Sequence, residues 1–198
     1  MRRRVLWGGA VIAMSALLVG TGVHHDFPSG IAWPDDSHAS GPAFPQIGSR
    51  AQDFRLERLT LDADAETGEV RLSDFEGRYV YLDVFGTWCL PCQVKYSSSP
   101  EIIAELEAMD VVVLGLLYQD SPARARAWFR DNGGLHYDFA MLDERTAAEW
   151  GVTGAPMGYL ISPDGRIETR CFGCDGRWSM DRLPDFVEDL RTRSQPDP

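Results

Sequence analysis

Four cysteines stand in two equal spacings, Cys89-x-x-Cys92 and Cys171-x-x-Cys174. A pair spaced this way suits thiol–disulfide exchange, a structural disulfide, or half of a four-cysteine metal site. The first pair follows Phe85-Gly86-Thr87-Trp88 at the end of an apolar run, Tyr79 to Phe85, that reads as a buried strand. A helix is expected to begin near the cysteines. A thiol there meets unpaired backbone N–H groups and the positive end of the helix dipole, and both favour the attacking thiolate. On this reading Cys89 is the exposed nucleophile. Cys92, one turn later and further inside, attacks the mixed disulfide and releases the substrate. Three-residue helical spacing makes that second attack short. Pro91 stiffens the turn and lacks a donor that would otherwise go unpaired.

Asp83 interrupts the apolar strand six residues before Cys89. A carboxylate inside such a strand is unfavourable unless it is neutral or paired. Its place suits general acid–base work on the proton of Cys92, against the plainer alternative of a structural, hydrogen-bonded acid. The second pair, Cys171-Phe172-Gly173-Cys174, has the glycine position of a type II turn. The ends of such a turn lie within ~7 Å, compatible with a disulfide. Three readings stay open for it: a structural disulfide, a relay pair exchanging electrons with Cys89 and Cys92, or a zinc or copper site shared with them. The last makes a metal carrier the alternative to an enzyme.

His24, His25 and His38 read as solvated linker residues, and His136 has no catalytic partner in sequence. Trp88, Trp128 and Trp150 read as core or site wall, with Trp88 placed to shield Cys89. There is no phosphate loop, serine nucleophile elbow or histidine metal motif. No metal and no organic cofactor is expected.

The chain has 198 residues and a formal net charge of −11, and Lys95 is its only lysine. That balance argues against nucleic acid as a partner, because phosphates need clustered positive charge. Arg2, Arg3 and Arg4 precede an uncharged, mostly apolar run from Val5 to Val23. This is the layout of a secretory leader, and the run is long enough to span a bilayer. An uncleaved signal anchor is favoured over a removed signal peptide, and the arginines place the rest of the chain outside the cytoplasm. Residues 24–45, with Pro28, Pro34, Pro42 and Pro45, read as a flexible tether. A single domain is expected over 46–193 and a disordered tail over 194–198.

Within that domain, Phe54 to Leu61 and Glu69 to Leu72 read as a small antiparallel pair. Ile102, Ile103, Leu106 and Met109 recur at helical spacing, and Val111 to Tyr118 reads as a central strand. A helix over Ser121 to Arg130 has Ser121 as N-cap and Pro122 at its first position. A short helix over Arg145 to Trp150 precedes two strands, Gly158 to Ser162 and Arg166 to Arg170, joined by Pro163-Asp164-Gly165. A last helix runs from Ser179 to about Leu190 with Pro184 in its first turn. The alternation calls for an α/β fold, a mixed central sheet with helices on both faces and an N-terminal β extension.

Phe85 to Cys92 resembles the active-site run of thioredoxins, and Ile47 to Leu190 resembles the exported thioredoxin-like proteins of the TlpA, ResA and DsbE/CcmG kind. Ile47 to Phe54, Trp150 to Pro156 and Leu160 to Gly165 match that family's entry segment, cis-proline loop and closing hairpin. The resemblance implies a thioredoxin-like fold and reduction of protein disulfides, in many members during cytochrome c maturation. Partners would be disulfide-bearing proteins and a membrane electron-donor protein, with membrane attachment through the N-terminal segment. It also implies that Pro156 is a cis-proline beside the cysteines. Ala155 and Trp88 would then help seat the substrate peptide, and Asp83 would be the buried acid. Lys95 departs from the family, which often carries glutamate there; it reads either as a solvated helix residue or as a charge favouring thiolate. Met157 departs too, standing where a polar residue is common.

Overall fold

A computed structural model describes residues 44–174 and 180–193. The leader at 1–23, the tether as far as 43, Ser179 and the tail at 194–198 lie outside the described residues. Every described residue belongs to a single compact unit.

Among the described residues the strands are β1 (Arg55–Glu57), β2 (Glu69–Arg71), β3 (Tyr79–Phe85), β4 (Val111–Leu117), β5 (Asp138–Met141), β6 (Met157–Ile161) and β7 (Ile167–Phe172). The helices are α1 (Leu90–Ser97), α2 (Pro100–Ala108), α3 (Pro122–Asp131), α4 (Glu144–Glu149) and α5 (Leu183–Arg193). β1 and β2 form a separate antiparallel pair. The central sheet has the order β5-β4-β3-β6-β7. β3, β4 and β5 are parallel, β6 is antiparallel to β3, and β7 is antiparallel to β6. The chain is thus α/β, with a mixed central sheet covered on both faces and a β extension before it. No described helix is long and apolar enough to cross a membrane.

The central position of β3 follows from its composition. All seven of its residues are buried, so its apolar run is continuous rather than alternating. Tyr81 and Phe85 face one cluster with Tyr96, Ile103, Phe129 and Val187. Leu82 and Val84 face the other with Phe54, Leu114 and Trp150. A buried side chain of this size contributes roughly 1.5–3 kcal/mol. The ring contacts of Phe85 with Tyr96 at 5.8 Å and of Tyr96 with Phe129 at 5.3 Å therefore hold α1 to the sheet and to α3.

Three elements differ from their sequence reading. β5 was not expected: it is four residues long, begins at exposed Asp138 and lies at the sheet edge, too short to show a period. The helical stretch after the cysteines is two helices, because Pro100 has no N–H to continue the ladder and instead opens α2. The last helix begins at Leu183, after a 3₁₀ turn at Met180–Arg182, with Pro184 in its first turn. The start of α3 is as read, with Ser121 Oγ accepting the Arg124 N–H at 3.3 Å.

The buried tyrosines give the fold an alkaline limit. Burial pushes the Tyr96 hydroxyl from its ordinary 10.0 up to about 12, partly offset by its hydrogen bond from the His136 backbone. Burial, then the charge of Asp83, pushes Tyr81 and Tyr137 well above that ordinary value. The neutral form is favoured in the fold, so this stability is full below about pH 10 and is lost as pH rises toward 12. Urea midpoints are expected to fall above about pH 10. Tyr96→Phe should fall less steeply there while starting lower by about 1–3 kcal/mol, because the His136 N–H loses its acceptor.

Candidate active site

The first cysteine pair lies where β3 gives way to α1. Cys89 is the N-cap of α1, and its Sγ accepts the backbone N–H of Cys92 at 3.2 Å. The two are joined as a disulfide with Cα atoms 5.2 Å apart. Pro91 occupies the first turn, where its missing N–H leaves no gap. The approach loop is fastened on several sides. The Thr87 N–H donates to the Asp120 carboxylate at 2.8 Å, and Trp88 Nε1 donates to the Tyr118 carbonyl at 3.1 Å. Gln93 Nε2 donates to the Thr87 carbonyl at 2.6 Å. Gly86 lies against the Trp88 indole, which a Cβ would meet at 2.7 Å.

Cys89 is not exposed as expected: it is 3% accessible, and Cys92 is 0%. The cause is local, since its sulfur is turned into the helix as a cap and bonded to Cys92. What the surface presents instead is apolar: Trp88 (46%), Leu90 (68%) and Val94 (64%). Trp88 is thus a partly exposed wall, whereas Trp150 belongs to the core.

The Ala155–Pro156 peptide is cis. The Pro156 carbonyl accepts the Gly173 N–H at 2.9 Å, and the Ala155 backbone has no backbone hydrogen bond among the described residues. Pro156, Pro91, Val94 and Lys95 line a groove of about 590 Å³ together with Gly173 and Cys174. Cys171 and Cys174 form the second disulfide, with Cα atoms 5.3 Å apart. Gly173 has the positive φ of 68° that the turn needs. The second pair therefore borders the same groove as α1.

Asp83 is fully buried in β3. Its Oδ1 is ion-paired with Lys95 Nζ, and its Oδ2 accepts the Tyr137 hydroxyl at 2.7 Å. Lys95 is therefore not a solvated helix residue: its side chain is 14% exposed and turned inward by the buried carboxylate. Tyr137 was not singled out in the sequence, nor was Asp120. Asp120 has a fully buried side chain that also accepts the Ser121 N–H at 3.0 Å and pairs with Arg124. A carboxylate three residues past the end of the apolar strand β4 was the available signal. His136 is stacked on Tyr96 at 4.2 Å, with Nδ1 3.1 Å from Ser99 Oγ. Among the described residues no three His, Cys, Asp or Glu side chains gather as a metal site.

The model of the AhpC/TSA family matches residues 47–170, most of the chain. The chain belongs to that family. Among its relatives, the thiol-disulfide oxidoreductase ResA of Oceanobacillus iheyensis is 27% identical over 146 residues, 73% of each chain. The thiol:disulfide interchange protein DsbE of Vibrio cholerae is 32% identical over 130 residues, 64% of this chain and 65% of its own. The crystal structure of a DsbE from Chlorobium tepidum aligns with a TM-score of 0.60 at 23% identity, covering 75% of this chain and 97% of that one. AhpC of Mycobacterium tuberculosis aligns at 0.63 with 16% identity, covering 78% and 97%. These structural likenesses establish the thioredoxin-like fold of this AhpC/TSA-family chain.

Asp120→Ala should free the loop before Cys89, lowering stability by about 1–3 kcal/mol and slowing disulfide exchange. Asp120→Asn keeps an acceptor for Thr87 and should lose less of both. Urea melts and exchange rates of the two variants check this.

Proposed function

We propose that this protein is a thiol–disulfide oxidoreductase that reduces disulfides of other proteins outside the cytoplasmic membrane, in cytochrome c maturation. The observation that carries the reading is the Cys89–Cys92 disulfide at a helix N-terminus, with Cys89 Sγ already accepting a backbone N–H. The relatives ResA, a thiol-disulfide oxidoreductase, and DsbE, a thiol:disulfide interchange protein, support the thiol–disulfide chemistry of this reading. The arginine-led apolar run of residues 2–23 supports an anchored, exported protein.

In the working direction the reduced pair meets a substrate disulfide. Cys89 thiolate attacks one substrate sulfur, the substrate S–S bond breaks, and its other sulfur leaves as a thiolate. Cys92 then attacks Cys89 Sγ, the mixed disulfide breaks, and the Cys89–Cys92 bond forms. Two electrons pass to the substrate. Asp83 takes the Cys92 proton as general base. The cis peptide leaves the Ala155 backbone open to pair with an extended substrate segment, and the exposed Trp88 supplies apolar contact. A membrane electron-donor protein bearing a dithiol restores the reduced pair.

Reduced protein should cleave the interchain disulfides of insulin, and Cys89→Ser should be inactive. Cys92→Ser should stall as a mixed disulfide, with cytochrome c precursors among the proteins trapped in cells. A reduction potential near ~−120 mV, that of a strong oxidant, would reverse the assigned direction.

A further inference from the structure

The buried acid and its counter-ion lie on the two elements that meet at the cysteine pair. Asp83 belongs to β3, and Lys95 lies on α1 three residues after Cys92. Helical neighbours at that spacing share a face, so Cys92 and Lys95 are directed toward the same part of the sheet. The opposite positions on β4 and β6 are Gly115 and Gly158, which bring no titratable group. Of the other elements, Tyr137 donates to the second carboxylate oxygen. Tyr81, two residues earlier on β3, is a further titratable neighbour, burial favours the neutral form of both phenols, and Glu101 and Asp181 line the groove with Lys95. Lys95 is the one cation paired with Asp83 among the described residues. It also lines the groove, so it joins a fully buried acid to a surface that water reaches.

We propose that Lys95 is a positioning residue for the resolving step: its ammonium holds Asp83 as a carboxylate ready for the Cys92 proton and gives that proton its way out at the groove. The proposal rests on the base role of Asp83 given above. A carboxylate at this depth without a counter-ion would take up a proton and cease to be a base. In the step itself the Cys92 S–H bond breaks and its proton goes to Asp83. The Cys89–Cys92 bond forms as the bond between Cys89 and the substrate sulfur breaks. The substrate leaves as a thiolate, and the carboxyl proton passes to water beside Lys95. No further oxidant or reductant takes part.

The test is single-turnover reduction of a fluorescent disulfide peptide by pre-reduced full-length protein, following decay of the mixed disulfide across pH. Lys95→Met is expected to slow that decay about ten- to hundredfold at neutral pH and to move its acid limb to higher pH. Lys95→Arg should restore most of the rate, and Asp83→Asn should be slow at neutral pH, its rate now rising only as alkali ionises the Cys92 thiol without help. A folded Lys95→Met protein with the wild-type profile, beside a defective Asp83→Asn, would overturn the role of Lys95 alone. A wild-type profile in Asp83→Asn would instead overturn the base role. Infrared difference spectra between wild type and Asp83→Asn test the same point even where Lys95→Met does not fold. A carboxylate band supports the proposal, and a protonated carboxyl band in its place overturns it.

Discussion

The site depends on one hydrogen bond at a junction. Where the central strand passes into the first helix, the Cys92 N–H has no carbonyl to serve and points at the sulfur of Cys89. That contact makes a side chain of unremarkable acidity into a helix cap, and it favours the charged form of the sulfur on reduction. The rest of the nearby structure keeps this geometry from drifting. Aromatic rings around Phe85 and Tyr96 fasten the helix to the sheet, and the Asp120 carboxylate fastens the loop from the neighbouring strand end. A redox centre of this kind needs little else at its first atom. Its specificity and proton handling come from what surrounds it.

Two sets of groups surround it. Below lies a polar cluster in an otherwise apolar layer, made of Asp83, Lys95 and Tyr137. A buried ion pair of this sort is weak evidence for stability, because desolvation offsets much of the attraction. Its proposed use is to move a proton beside the cysteine pair. Above lies a groove whose far side carries the second disulfide. The Gly173 N–H links that turn to the Pro156 carbonyl, so the second pair stands one hydrogen bond from the loop that faces the first.

Much of this arrangement was legible in the chain itself. The apolar runs of β3 and β4 and the Ser121-Pro122 start of α3 carry signals that depend only on neighbouring residues. The first cysteine pair was legible as a pair at a helix start, because its spacing and its place after a strand are local signals. What escaped depends on contacts distant in sequence. β5 is too short for a pattern, and its burial comes from pairing with β4. The Lys95–Asp83 pair joins residues twelve apart that only the packing of α1 on β3 brings together. The burial of Cys89 is likewise a consequence of its capping contact, which helix-start signals announce without saying how deeply the sulfur will sit.

The most direct test of the central contact is the rate at which iodoacetamide alkylates Cys89 in reduced Cys92→Ser protein, measured at pH 6 against glutathione. Thiolate stabilisation at the helix start predicts a rate more than about tenfold above that of glutathione. A rate equal to or below that of glutathione would contradict it, leaving a buried, inert thiol where the account requires a nucleophile.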